Sequence, residues 1–394
     1  MAGGFEMLRY CVVTALGLIL LACGGESREG SSRADSATSA DSTVPRRELV
    51  VESSIGVELG DSNYVFGAIA AACFSLDGRV LVLDQGLRTI KVYSRPGDYQ
   101  GRIGREGSGP GEFQMPTDLG VLASGLIAAA DPWAGSVKFF DPDTGYVTEI
   151  TGFFPSPPRV IGGSGFQTFV GLMREVDTEE SMIGYTLALW GYDSEPVMEY
   201  VTELESFDPS LIGPRFTETG ITFTSDRQGT IYFSRMSVDR YLVTGVSEEG
   251  DTLLTITSEY ERVPKTEEEI AGEIDDFYAF LERRQSSGGG RGGAGLVGDL
   301  SPADVDFQPE PYRYAISSLG VDGEGNIWVR RGWETCPVFD VYSREGRKLM
   351  EVSFAREEDA ERCAEYTFVV APEGILAFEP DPDDFPEVLV LRLE

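Results

Sequence analysis

Residues 76–117 read LDGRVLVLDQGLRTIKVYSRPGDYQGRIGREGSGPGEFQMPT. β-Branched and aromatic runs at 80–84, 89–93 and 100–103, with Phe74 just ahead of them, are separated by Asp77-Gly78, Gln85-Gly86 and Pro96-Gly97. Such pairs turn a chain tightly between antiparallel strands, so four strands in succession form one small sheet. In the exit passage, 104–116, Gly107, Gly109 and Gly111 allow positive φ. Phe113 offers an apolar plug, and Pro116 opens the next extended run.

The same grammar recurs along the chain. A second unit occupies 117–122, 126–130, 136–140 and 147–151, and a third, less regular, 166–173, 183–189 and 198–203. A fourth lies at 221–225, 230–234, 241–246 and 252–257, and a fifth at 316–321, 326–330, 338–342 and 348–352. The sixth has runs at 366–370, 375–378 and 388–393 and is one strand short, while a lone run at 48–59 precedes the first unit without partners. Units of ~40 residues fit a propeller and not a sandwich. A ring leaves no free sheet edge, so the lone run is expected to complete the last unit. The expected fold is all-β: a six-bladed β-propeller closed by an N-terminal strand, with a short helical insertion between blades four and five. The stretch 76–117 also resembles an NHL repeat and the opening blade of bacterial six-bladed propeller lipoproteins, and the resemblance implies the same ring.

The insertion spans 258–312. Within it, Ile270, Ile274, Phe277, Tyr278 and Leu281 recur at helical spacing over 266–284. Thr266 and Glu269 have capping-box spacing, and Arg283 and Arg284 suit the helix C-terminus. Residues 286–295 read as a flexible glycine-rich hinge; their single arginine, in so acidic a chain, does not make an RNA-binding segment.

At the other end, Arg9 precedes an apolar stretch, 11–21, too short to span a membrane, and then Leu20-Leu-Ala-Cys23. Met7 makes the better start, because Glu6 spoils a basic n-region. These residues resemble the lipobox of bacterial lipoproteins, in which the cysteine becomes the lipid-carrying first residue. The expected organisation is a signal peptide at 1–22, a Ser/Gly/Asp-rich tether at 23–47 that cannot bury a core, and the propeller at 48–394. Gly24 stands where some bacteria place the aspartate that retains lipoproteins at the inner membrane, so the resemblance favours the outer membrane, with the protein facing the periplasm or the cell surface.

Composition then narrows the chemistry. A formal charge of −34 over 394 residues argues against nucleic acid and against an anionic membrane surface. There is no histidine, which excludes a Ser-His-Asp triad, a histidine base or a histidine-ligated metal in this chain alone. Asp-Gly and Glu-Gly pairs at 77–78, 249–250, 322–323, 345–346 and 373–374 fall in hairpins and read as turns, not ligands. Residues 379–384 gather carboxylates but lack the pattern of a calcium loop, and the glycines of 104–111 lack the lysine and helix of a phosphate loop. Of the cysteines, Cys73 reads as a small buried hydrophobe, and Cys336 and Cys363 are placed to pair across adjacent blades in an oxidising compartment.

One ligand site is expected. Arg88, Arg235, Arg330 and Arg331 fall on or just after second strands, so with Trp333, and Trp328 beside it, they are candidates to line one mouth of the ring, beneath the insertion, for an anionic ligand. The reading is a monomeric, exported, lipid-anchored binding or scaffold protein for a protein, peptide or glycan, with no cofactor, no nucleic acid and no membrane contact beyond the lipid. The alternative is a metal-dependent hydrolase of the lactonase or gluconolactonase type. Members of that family hold their metal with inner-strand asparagines, and only Asn63 and Asn326 are present, neither on an expected inner strand.

Overall fold

A computed structural model describes residues 44–153, 156–177, 180–208, 211–212, 219–286, 305–355, 363, 365–380, 382 and 384–394. Val44–Glu394 is one compact unit, a six-bladed β-propeller. Blade I has strands Ile69–Phe74, Val80–Asp84, Thr89–Tyr93 and Tyr99–Ile103, and blade II Asp118–Val121, Ile127–Asp131, Ser136–Asp141 and Gly145–Thr151. Blade III has Val160–Gly163, Phe169–Asp177, Met182–Trp190 and Pro196–Ser206, and blade IV Ile221–Ser225, Ile231–Arg235, Tyr241–Val246 and Thr252–Ser258. Ile316–Val321, Ile327–Arg331, Val338–Tyr342 and Lys348–Phe354 make blade V, and Thr367–Ala371, Gly374–Phe378 and Val388–Leu393 begin blade VI. Within each blade, neighbouring strands are antiparallel, from the innermost outward.

Arg46–Ile55 completes the sixth blade, antiparallel to Val388–Leu393 from Leu49↔Leu393 to Ile55↔Val388. Its first residues also pair in parallel with the outer strand of blade V, Arg46↔Glu351 to Leu49↔Phe354, so two blades become one eight-stranded sheet. The strand ends at Ile55, short of the expected residue 59. Gly56 leaves the sheet at φ +147°, where an added Cβ would lie 2.6 Å from the Pro386 carbonyl oxygen.

The core is layered between blades. Leu81, Leu83, Ile90, Leu119 and Ile127 pack between blades I and II, for example, with fully buried Phe113 among them as the expected plug. Equivalent layers fill the II/III, III/IV, IV/V, V/VI and VI/I contacts. Blade III is longer than its sequence pattern suggests. The run at 166–173 contributes the second strand and not the first, and the inner strand is the four-residue Val160-Ile-Gly-Gly163.

Buried charges tie connectors to blades. Asp84, closing the second strand of blade I, accepts the N–H groups of Gly67, Ala68 and Leu87 and faces Lys91 at 3.5 Å. Asp131 does the same in blade II, with Gln114, Met115, Ala134 and Lys138 at 3.2 Å. Each aspartate thus satisfies the arriving connector and its own turn while neutralising a buried lysine. Loss of one partner alone would leave the other charge uncompensated, at about 3–5 kcal/mol. In blade V the polarity is reversed: Arg331 takes the aspartate position and Asp340 the lysine position, 2.8 Å apart.

The helix, Glu267–Ser286, starts with the expected reciprocal cap: Thr266 N–H donates to Glu269 at 2.7 Å and Glu269 N–H to Thr266 Oγ1 at 3.2 Å. Its buried Phe277 and Leu281 pack with Ile183 of blade III, Val305 and Phe307, with Phe277 stacked on Phe307 at 4.2 Å. The helix therefore spends its apolar face on the blade III hairpin and the returning chain. The glycine-rich hinge expected after it lies, but for Ser286, outside the described residues, as do the signal peptide and the tether to residue 43.

Candidate functional site

The inner strands of all six blades enclose an axial channel of about 350 Å³. Glycines stand in its wall where the inner strands converge. A Cβ added at Gly120 of blade II would lie 2.9 Å from the Gly162 backbone of blade III, and one at Gly320 of blade V 2.5 Å from Val370 of blade VI. Hydroxyls of Thr222, Thr224, Ser225, Ser318 and Thr367 supply polarity. At the end formed by the hairpins between first and second strands, the ion pair Arg227–Glu373 reaches from blade IV to blade VI.

Besides Asp226 and the Arg227–Glu373 pair, the ionisable side chains Asp118 and Cys73 line this channel. Asp118, at the start of the blade II inner strand, accepts the N–H of Ile161 from blade III at 2.9 Å and that of Leu119 at 2.8 Å. Burial pushes its pKa up to about 7 against these two hydrogen bonds, which favour the charged form. Cys73 faces the same channel. It is partly exposed there, where the sequence suggested full burial, and is a free thiol. Burial, and then the nearby Asp118 carboxylate, raise its pKa, so it stays an unreactive thiol at neutral pH.

Asp118 makes stability pH-dependent in a definite direction. The folded state keeps its proton to about pH 7, whereas the unfolded chain releases it near the ordinary value of 3.8. Unfolding between these values releases a proton, so this contribution to stability falls as pH rises through the window and is fully lost above it. Asp118→Asn should match the wild type in Tm near pH 4 and exceed it increasingly towards pH 8. Thermal unfolding of both proteins across that range checks this, and parallel curves would show that Asp118 is not the titrating group.

The arginines expected at one mouth are not gathered into a common site. Arg88 pairs with Glu106 and Arg235 with Glu203 of blade III. Arg330 donates to the Tyr366 carbonyl at 2.6 Å and lies over the Phe368 ring at 5.3 Å; burial pulls its pKa down to about 10, leaving it charged at neutral pH. Arg331 is held by Asp340 and Glu351 and packs over Trp333, while Trp333 contacts Tyr241 and Tyr260. Trp328 is buried against Phe339, its Nε1–H donating to Asp322 at 2.9 Å. Each of these guanidinium groups has a partner within the fold.

Cys336 and Cys363 form a disulfide, with Cα atoms 5.1 Å apart. In the chain-entropy account, closing a loop of this length stabilises the fold by about 3.5 kcal/mol. Apolar side chains gather instead on the face that carries the connectors, over blades I and II. Leu87 and Trp133 are more than half exposed there, and Met115 is exposed on the connector from blade I to blade II. Gln85 Nε2–H donates to the Pro116 carbonyl, and Asp131 accepts from both Met115 and Ala134, so these three side chains ride on one hydrogen-bonded surface.

A family model described as a 6-bladed beta-propeller matches residues 61–151, blades I and II with the approach to them. None of the curated proteins matches the chain in sequence. Among solved structures, a Bacteroides fragilis protein inferred to be exported aligns over 89% of this chain and 100% of its own, at 14% identity and a TM-score of 0.49. A member of the DUF4221 family from Bacteroides vulgatus aligns over 88% and 98%, at 11% identity and 0.46. Virginiamycin B lyase from Staphylococcus aureus aligns over 84% and 82%, at 9% identity and 0.37.

Proposed function

We propose that this propeller is an exported, lipid-anchored envelope protein that binds or scaffolds a protein, peptide or glycan without catalysing a reaction on it. The observation that carries the reading is the Cys336–Cys363 disulfide, because such bonds persist in oxidising compartments, which is where the Leu20–Cys23 lipobox would send the chain. Absence of histidine from the sequence supports the non-catalytic half. Among the described residues no three Cys, Asp or Glu side chains are grouped to hold a metal ion. The ligand surface is best sought at Leu87, Met115 and Trp133, since an apolar patch facing water at the rim of a monomeric ring is stabilised by being covered.

Affinity capture from detergent-solubilised envelope, using the full chain, tests this. Wild type should retain a partner that the Leu87→Ser/Trp133→Ser variant loses, with the variant's Tm unchanged because both side chains are exposed. Capture of the same material by both proteins would reject this surface, and turnover of a captured substrate would reject the non-catalytic reading.

A further inference from the structure

The buried pairs of blades I and II have a third member on the outer strand, and there the blades part company. In blade II the residue opposite Lys138 is Glu149, 3.6 Å from the ammonium group. In blade V the residue opposite Asp340 is Glu351, which answers both Arg331 at 2.5 Å and Lys348 at 2.7 Å. In blade I the residue opposite Lys91 is Arg102. Two cations facing across a strand pair repel, and Asp84 balances only one of them. Arg102 is exposed and, among the described residues, has no ion-pair or hydrogen-bond partner on its side chain.

At that position the fold leaves a cavity of about 530 Å³, lined by Ser62, Asn63, Lys91, Tyr99, Arg102 and Arg105 among others. Its far wall is the segment leading from the closing strand into blade I. Lys91 is committed to that wall, donating to the carbonyls of Val65 at 2.6 Å and Ser62 at 3.3 Å. Arg105 is committed to Glu112 at 2.7 Å, and the nearby Asp61 accepts the Asn63 N–H at 3.0 Å. The charge left unanswered in the cleft is that of Arg102, in a chain with a formal charge of −34.

We propose that this cleft binds a carboxylate- or phosphate-bearing small molecule about the size of an acidic or phosphorylated sugar. Arg102 takes the oxyanion in the place where blades II and V use a glutamate of their own. A planar guanidinium grips either oxyanion through paired, charge-assisted hydrogen bonds, and the volume falls in the ordinary range for small-molecule sites. The site lies apart from the axial channel and shares Leu87 with the partner surface proposed above, but the Arg102 variants test it without reference to anchoring or to that partner.

Isothermal titration calorimetry on the full chain in detergent, with glucose 6-phosphate, glucuronate and neutral glucose as probes, tests the assignment. At least one anion should bind and glucose should not; the tighter anion identifies the group recognised. Arg102→Gln should weaken binding by ~10-fold or more, the loss expected for a charge-assisted contact. Arg102→Glu, which copies blade II, should abolish binding and raise the Tm of the ligand-free protein. Glu149→Gln, a charge change of the same size and opposite sign at the matching position of blade II, should leave affinity as it was. The proposal fails if neither anion binds the wild type, if Arg102→Gln binds as well as the wild type, if Arg102→Glu lowers the Tm, or if Glu149→Gln alters affinity as much as the Arg102 variants do.

Discussion

A chain beginning at Gly56 is expected to aggregate, while one beginning at Val44 is expected to unfold at the same temperature as the protein with its full N-terminal segment. The two differ by the strand Arg46–Ile55 and little else. Removing it uncovers two sheet edges together, the outer strand of blade V and Val388–Leu393 of blade VI, because one strand pairs with both. Open edges of this kind template pairing with other chains. The strand also buries Leu49 and Ile55, at 2% and 1% exposure, each worth about 1.5–3 kcal/mol in place. Size-exclusion chromatography and thermal unfolding of the two truncated proteins decide the matter. A monomeric Gly56 form with an unchanged Tm would mean that the ring is closed by something else.

This closure was legible because it is a counting result: a missing strand at one end and an orphan strand at the other. The strand limits were less so, since Val57 and Leu59 continue the apolar alternation and only Gly56, held against Pro386, turns them out of the sheet. The inner strand of blade III is hidden in the sequence for the opposite reason. Two of its four residues are glycines, required where inner strands nearly touch, and they erase the alternation by which strands are recognised.

Charged side chains were harder to read than strands. An arginine at the end of a second strand looks like surface charge pointing to a mouth, and nothing local reveals that Glu203 or Tyr366, from neighbouring blades, will meet it. Asp118 gave no signal either, since a single carboxylate at a strand start is ordinarily solvated; its burial follows from ring closure. The Asp-Lys pairs did leave a trace. Asp84 with Lys91 and Asp131 with Lys138 stand at one spacing in successive units, and that repetition distinguishes a structural ion pair from scattered charge. The same alignment of units exposes Arg102 as the residue that breaks the rule.

The membrane anchoring proposed above rests on Cys23. Cys23→Ser is expected to move the protein from the membrane fraction to the soluble one almost completely, because the acidic propeller offers an anionic bilayer no attraction of its own. Among the described residues no helix is long and apolar enough to cross a membrane. The most direct measurement is the mass of the N-terminal peptide released from the membrane-bound wild-type protein. The expected peptide begins at Cys23 and carries the added mass of its lipid. A peptide that begins elsewhere, or an unmodified Cys23 on protein that stays with the membrane, would contradict the lipid anchoring.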